Sequence, residues 1–496
     1  MNRKILFYCL SALLLLTACG KGHNDESSTA SNKVISSGSD LDGHSVGFIT
    51  GSVQDFYVAE HASGATPVSM ASTSEVLAAT AKGLCDYSLS DETTIMCVDL
   101  KESHLKVVGN INDISFPLAA GFRKDDPAMK EVKQSLDDFI LQQKENHVLD
   151  SMAKRWATPR LDTVSMPKVQ LPTSGKTLVI GSMNDNAPFG FIRNDEFAGF
   201  EAELIYRWAA ETGHRVRIEY YPFSSLIAAL QTNKIDIIIS SVSVTEERQQ
   251  HIDFSEPYYF CHTIVLQGDQ AATSSKGFWQ WVKTGVQDNL IAEGRWKMIL
   301  DGLWETVIIA FWALLIGTLL GCGICGMRMS RNKFCNGFAK AYIGLMRGVP
   351  ILVFLMILFY VVFAKTGLSA RWVAILAFSI NFSAYVSEMF RNGIESVDKG
   401  QREAGWALGL SHAKTFILIV VPQALRRIIP VYKGEAVSLI KNTSIVGYIA
   451  IQDLTKVSDI IRSRTFDAFF PLIVITIIYL ILAWLLGFLI DRIKIR

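Results

Sequence analysis

Two stretches of this chain cannot be solvated by water. Residues 306–327 run 22 positions without a charged side chain, and residues 468–490 run 23. At about 1.5 Å of rise per residue, each is long enough as a helix to cross the roughly 30 Å hydrocarbon core of a bilayer. Inside that core every backbone amide and carbonyl must find its partner within the segment, so both runs are expected to be helices. Three shorter apolar stretches lie between them: 341–364, broken only by Arg347; 372–387; and 436–452, broken only by Lys441. Five spans are therefore expected. They explain why half of the residues are apolar and only 19% are charged, where soluble domains carry about 25%.

The connections expected on one side, 328–340, 388–435 and the tail after Ile490, hold 14 Lys or Arg, and those on the other, 365–371 and 453–467, hold five. Basic loops stay on the cytoplasmic side, which puts the C-terminus inside and everything before the first span outside. The near balance of 48 basic and 47 acidic residues excludes electrostatic nucleic-acid binding as the main task. Eight cysteines are too few for a disulfide scaffold. Of the three extracytoplasmic ones, Cys85, Cys97 and Cys261, a Cys85 to Cys97 bridge is one pairing, but an odd number leaves the assignment open. Cys322 and Cys325 lie inside the first span, where their spacing reads as packing. No metal cluster and no catalytic constellation stand out among the nine His.

Before the first span the chain has a different character. At about 150 residues per domain the length corresponds to roughly three domains. Residues 41–268 mix short β-rich runs such as 177–180 with amphipathic helical stretches such as 200–212, as soluble α/β chains do. At the start, Arg3 and Lys4 precede the apolar run 5–16, too short to span and shaped like a signal-peptide core. The Leu16, Thr17, Ala18, Cys19 that closes it resembles a bacterial lipoprotein box. That resemblance implies a signal peptide over 1–18, a lipid on Cys19, and a polar tether over 19–40.

The residues of the soluble half carry a further resemblance. APF at 187–189, GFEAEL at 199–204, LQTNKID at 230–236, SSVSVTEER at 240–248 and IDFSEPYY at 252–259 follow one another in the order of the first half of a periplasmic polar amino-acid binding protein. This likeness implies that Arg248, with Ser241 and Ser243, receives the α-carboxylate of an amino acid. The chemistry suits them, because a carboxylate favours a bidentate guanidinium and oriented amide donors. LDGHSVGFITGSVQDF at 41–56 and KGLCDYSLSDE at 82–92 resemble the second half of the same family. Ser52 and Val53 would then offer main-chain amides from the opposite lobe, and Asp91 would meet the ammonium. Phe223 falls where the family sets an aromatic face against the ligand side chain. Met183 stands where an acid is common and Asn186 where an aromatic ring is usual, which disfavours a cationic ligand. A neutral polar amino acid such as glutamine is the favoured ligand, with Gln54 and Asn186 in reach of its amide.

The family order is inverted in this chain: the second half, 41–157, precedes the first, 176–268, with 158–175 as a linker. One complete, circularly permuted two-lobed domain is the favoured arrangement, and two separate half-copies the alternative. Residues 269–298 read as a second linker. Residues 299–496 resemble the permease subunit of an ATP-driven polar amino-acid importer over their whole length. The resemblance rests on GLWET at 302–306, MRGVPILV at 346–353, KNTSIVG at 441–447 and, above all, EAGWALGLSHAKTFILIVVPQALRR at 403–427. In the last, Glu403, Ala404, Gly405, Gly409 and Pro422 keep the spacing of the cytoplasmic EAA loop, with Gly405 in place of the second Ala. That likeness implies that the loop docks a separate ATPase, with Pro422 ending or redirecting the next helix; Lys441 and Glu388 are expected to face the bundle interior or the transport route. No GxxxxGK[ST] loop occurs in the sequence, so ATP is expected to be hydrolysed by the partner subunit, with no cofactor held by this chain. Five spans imply a second permease copy, a homodimer in the simplest case. The expected fold class is therefore multidomain: an α/β two-lobed binding-protein fold of type II, then an all-α bundle of five spans in a bacterial inner membrane. Competing readings are an amino-acid-gated channel or a membrane-anchored sensor; a channel is disfavoured by the EAA spacing and the lack of a TVGYG-like filter. An enzyme on the binding-protein fold would leave the membrane half idle.

Overall fold

Two mixed β-sheets, each completed by a strand from the other side of the 158–175 linker, form the soluble half. The computed structural model describes residues 34–492 apart from 71, 99, 101–102, 159, 168, 194–195, 270–277, 365, 466 and 468. The expected signal segment and the expected lipid site Cys19 lie outside the described residues. Strands β1 (Ser45–Ile49), β2 (Thr66–Met70), β3 (Tyr87–Asp91), β4 (Leu105–Leu118) and β5 (Gly121–Arg123) come before the linker. After it follow β6 (Thr177–Ser182), β7 (Asp185–Asn186), β8 (Gly190–Arg193), β9 (Glu196–Ala198), β10 (Arg215–Tyr220), β11 (Ile237–Ile238), β12 (Ile252–Phe254) and β13 (Tyr259–Gly268). The first sheet has the order β2-β1-β3-β13-β4 and the second β10-β6-β11-β5-β12. A small hairpin sheet, β7-β8-β9, sits beside the second.

This exchange corrects the expectation that 176–268 stays in one lobe. The last ten residues of that stretch, β13, run antiparallel between β3 and β4 in the first sheet. In return β5 runs antiparallel between β11 and β12 in the second. The cause is a paired crossing: Ser255 N donates to Ala120 O and Tyr258 N to Leu118 O, both at 2.9 Å, so the two chain segments pass between lobes together. Apolar side chains of both halves share one core, with Leu118, Phe122, Leu136 and Trp156 beside Leu178, Trp208 and Val265, all nearly inaccessible to solvent.

The helices follow in chain order: α1 (Val53–His61), α2 (Thr73–Ala81), α3 (Lys130–Glu145), α4 (Val148–Trp156), α5 (Phe200–Thr212), α6 (Phe223–Gln231) and the short α7 (Glu246–Gln249). Both segments expected as plain connections turn out to be held. Ile35 is buried and its amide donates to Val108 O at 3.1 Å, so the tether joins the fold before residue 40. In the 158–175 linker, Arg193 Nη1 pins the carbonyls of Leu161 and Val164 at 2.6 and 2.5 Å. The expected linker 269–298 contains a helix, Phe278–Val286, whose Gly285 lies under the ring of Phe470.

The membrane half comprises α8 (Trp296–Arg328), α9 (Lys333–Gly348), α10 (Ile351–Ile357), α11 (Ala370–Glu395), α12 (Lys399–Ala407), α13 (Val421–Asn442), α14 (Leu454–Thr465) and α15 (Phe470–Asp491). Among the described residues four helices are long and apolar enough to cross a membrane, and five if the bent pair from Lys333 to Val362 is one span. The bend of that pair, 105°, falls at Val349 and Pro350, where the ring of proline removes a helical donor. The fourth span departs from expectation. It starts at His412 rather than near 436 and continues to Ile449. A π-helical turn, Phe416–Val420, leads into α13, so Pro422 sits in the first turn of α13, where its missing N–H costs nothing, and does not end a helix. Arg426, Arg427 and Lys433 thus ride on this span and not in a loop. Lys441 is exposed on the side of the chain, not enclosed by the bundle.

The two halves touch extensively. Lys234, on the soluble side, donates to Phe363 O at 2.8 Å and lies 4.5 Å from the ring centre of Phe359. Tyr221 and Leu226 share an apolar cluster with Leu358, Phe359 and Tyr360.

Candidate functional site

From the first sheet, β1 turns at Gly51 into α1, whose N-cap Ser52 accepts from Asp55 N at 3.3 Å. Two residues on, the buried Gln54 donates from Nε2 to Asp91 Oδ1 at 2.7 Å and to Thr263 Oγ1 at 3.2 Å. Asp91 closes β3. Desolvation pushes its pKa up to about 6, with the Gln54 hydrogen bond opposing that rise. Gln54 therefore orients a carboxylate, and its NH2 group is not free for a ligand amide as expected from sequence.

From the second sheet, the chain leaves β11 through Ser240, Ser241 and Ser243. Ser241 adopts a left-handed backbone conformation (φ 49°). Its amide and hydroxyl both donate to Glu201 Oε1, at 2.5 and 3.1 Å, which offsets the strain of a non-glycine residue there. Tyr258 OH donates to the same oxygen at 2.5 Å, and Asn186 Nδ2 donates to Ser241 Oγ at 2.8 Å. Glu201 is fully buried, and desolvation raises its pKa to about 7. Thr245 caps α7 by accepting from Arg248 N at 3.2 Å. The Arg248 guanidinium reaches across: Nη1 donates to Ser243 O at 2.9 Å and Nη2 to Gly51 O, on the other lobe, at 3.0 Å. It sits 5.3 Å from the ring centre of Phe223, and burial lowers its pKa.

These groups surround a cavity of about 620 Å³. Ser52, Val53, Gln54, Asp91, Asn186, Phe223, Ser241 and Ser243 all line it. Arg248 does not; it stands behind the wall, clamping the two lobes through main-chain carbonyls. The far wall was not anticipated. It is built by the membrane half, with Ser444, Tyr448, Asp453, Lys456, Asp459 and Arg462. Arg462 Nη1 donates to Glu75 Oε1 of α2 at 3.1 Å, and Lys456 Nζ lies 3.6 Å from Asp185 Oδ2 of β7. From sequence, residues 453–467 are expected only as an outer connection. Their signal was the spacing of Lys456, Asp459 and Arg462, three apart and therefore on one side of a helix, with Asp453 just before it.

A second cavity, of about 540 Å³, lies within the membrane half against the α9–α10 bend, with Arg347, Asn381, Tyr385, Glu435, Ser438 and Asn442 in its wall. Glu388 is not part of it. The Glu388 carboxylate is engaged by Arg391 Nη2 at 2.8 Å and by Arg328 at 3.7 Å, which corrects its expected place on the route.

In the EAA segment, α12 carries Glu403, Ala404 and Gly405, and Gly409 (φ +80°) turns the chain back so that Ser411 caps the next helical turn. Gly405 is the packing point. A Cβ there would stand 2.7 Å from Thr415 Cγ2 and 2.9 Å from Ile419 Cδ1, which accounts for glycine where the pattern has alanine. Glu403, Ala404, Trp406 and Leu408 are exposed on the other side. Cys85, Cys97 and Cys261 are buried free thiols in separate surroundings, so the Cys85 to Cys97 bridge is not formed.

Two family models match successive, overlapping parts of the chain. Residues 178–351 match the bacterial extracellular solute-binding proteins, family 3, and residues 313–495 match the binding-protein-dependent transport system inner membrane component. The chain is similar to the "Probable amino-acid ABC transporter permease protein YckA" of Bacillus subtilis (strain 168), 39% identical over 34% of this chain and 76% of that one. It is also similar to a Rickettsia bellii (strain RML369-C) protein named for a glutamine transport system permease, GlnP, 34% identical over 36% of this chain and 82% of the relative. A solved structure titled as an amino acid ABC transporter with histidines is 34% identical, covering 44% of this chain and 97% of its own, with a TM-score of 0.38.

Proposed function

Because the chain belongs to the amino-acid ABC transporter permeases, joined here to an extracellular solute-binding domain, we propose that it captures a neutral polar amino acid outside the membrane and passes it into its own spans. The observation that carries this reading is the shared cavity, whose walls combine the expected binding residues of both lobes with side chains of α14. Among the described lining residues, Asp91 is the carboxylate whose side-chain partner is a neutral amide, and so offers itself to an ammonium; Glu75, Asp185 and Asp459 face Arg462 or Lys456, and Asp453 accepts the amides of Thr455 and Lys456. The Ser52 hydroxyl, the Val53 amide and Ser243 serve the carboxylate, while the Ser241 donors are kept by Glu201 and Arg248 holds the lobes together around the site. With four acids already engaged, a cationic side chain has little left to meet, and glutamine fits the hydrogen-bonding capacity of Asn186. The relative named for glutamine transport points the same way.

The two halves of the binding domain constitute one circularly permuted receptor, a reading supported by the strand exchange. From the first cavity the substrate moves to the polar second one. A separate ATPase docks on the exposed face of Glu403, Ala404, Trp406 and Leu408 and drives the change of access. A second copy of the permease completes the pathway, Cys19 carries a lipid anchor, and the soluble half lies outside the inner membrane with the C-terminus in the cytoplasm. Equilibrium binding of each of the twenty amino acids to the full chain in nanodiscs tests the proposal: saturable binding of one or a few neutral polar amino acids is expected, and binding of none overturns it. A channel would conduct ions in planar bilayers without any ATPase; an importer will not.

A further inference from the structure

The lobes alone do not close the binding cavity; α14 does. It brings Lys456, Asp459 and Arg462 to the wall, with Asp453 just before it, and three of these four are already occupied. Arg462 Nη1 donates to both Glu75 and Asp459, each at 3.1 Å. Asp453 accepts from the amides of Thr455 and Lys456 at 3.1 Å and from Tyr479 OH at 3.3 Å. Lys456 is differently placed. Its nearest ion-pair partner, Asp185 Oδ2, is 3.6 Å away, too far for a good hydrogen bond, while its side chain is only 14% exposed and lines the cavity. Burial alone pulls its pKa down, and Asp185 and then Asp459 outweigh that effect, so the ammonium keeps its charge. Arg248, the cation of the receptor itself, stands behind the wall with Nη1 and Nη2 on main-chain carbonyls.

We propose that Lys456 is a second carboxylate site: as the amino acid leaves the lobes, its α-carboxylate passes from the Ser52 hydroxyl, the Val53 amide and Ser243 to the ammonium of a permease residue. This deepens the amino-acid reading of the cavity and rests on it. A carboxylate leaving its donors inside a poorly hydrated cavity needs another partner at once, or its desolvation blocks the step. A lysine suits this task, with three donors on a flexible stem that can swing from Asp185 to a passing anion. Arg462, held between two acids, lacks that freedom.

The decisive comparison separates a carboxylate acceptor from a docking contact. Full chain and its ATPase are reconstituted with a mixture of the twenty L-amino acids, and both bound and imported species are read by mass spectrometry. K456M is expected to bind the same amino acid within about threefold and to lose uptake roughly tenfold or more, as removal of a charge-assisted partner implies. K456R, which keeps a cation, restores most of the uptake. D185N leaves uptake within about threefold, since it frees the ammonium while Asp459 and Asp453 still favour its charge. The exchange K456D with D185K does not restore uptake. Normal uptake by K456M overturns the proposal, as does loss of uptake in D185N with recovery in the exchanged pair, which would make the contact one of docking. Should K456M fail to fold, K456R and D185N still decide, because only docking through this pair makes D185N lose uptake. If the wild type binds no amino acid, the functional reading falls, and this site with it.

Discussion

Gln54 Nε2 donates to Asp91 Oδ1 at 2.7 Å, so the carboxylate that faces the cavity from the first sheet is held by a neutral amide and has no cation of its own among the described residues. A buried acid with such a partner keeps its charge only weakly, and desolvation carries its pKa up to about 6. Ligand binding should follow this titration. The ionised form accepts the ammonium, so affinity is expected to be constant above about pH 7 and to fall toward tenfold per pH unit below about 6. D91N should weaken binding roughly 10- to 150-fold, the equivalent of about 1.5–3 kcal/mol, and remove this pH dependence. Calorimetric titration from pH 5 to 8 checks both; a wild-type affinity that does not change across that range refutes the role of Asp91.

Glu201 should impose a stability profile of the opposite kind to that of a salt-bridged acid. Its pKa lies near 7 in the folded protein, above the ordinary value of 4.5, because it is desolvated, with Tyr258 and Ser241 only partly compensating. The folded state therefore holds a proton that the unfolded state has already lost. Its stabilising contribution is full below about pH 4.5 and is lost as pH rises toward 7. E201Q should flatten the change in Tm of the soluble half between these values, read by intrinsic fluorescence of the full chain. An unchanged profile would mean that Glu201 is ionised throughout.

Arg248 ties Ser243 O to Gly51 O across the lobes. R248A is expected to reduce amino-acid affinity about a hundredfold or more, since it removes both the clamp and the charge behind the donors. R248K should not rescue it, because one ammonium cannot reproduce the planar fork that serves two carbonyls. Binding isotherms of the two variants, with Tm as the folding control, settle the matter; wild-type affinity in R248A would exclude a part in closure.

Gly405 meets Thr415 and Ile419 too closely for a larger side chain. G405L should lift α12 away from the start of the fourth span, leaving ligand binding unchanged while reducing ligand-stimulated ATP hydrolysis by roughly tenfold or more, as a core overpacked by 1–3 kcal/mol would rearrange locally. Measured on the reconstituted complex, normal stimulation would show that the packing of this turn does not transmit closure.

Much of this molecule was legible in its sequence, for reasons that differ by region. The spans declared themselves because lipid tolerates no unpaired backbone and few charges, so long runs such as 306–327 and 470–490 have one structural solution. The fourth span was misplaced for the same reason in reverse. Its first half, from His412, carries Arg426, Arg427 and Lys433, and no count of uninterrupted apolar residues could find a helix whose polar groups share one side with its charge. Motif order brought Asp91, Ser52, Ser241 and Ser243 together, since local turn chemistry sets each strand end and helix start. What tertiary structure decided lay between segments. The crossing of β13 into the other sheet, the removal of Arg248 from the cavity wall and the use of Gln54 on Asp91 all depend on partners 37 to 197 residues distant. The wall formed by α14 depends on how the two halves dock, a relationship between surfaces that neither surface spells out alone. A chain's local chemistry is written along it, whereas which side chains meet across a cavity is settled only when the lobes have packed.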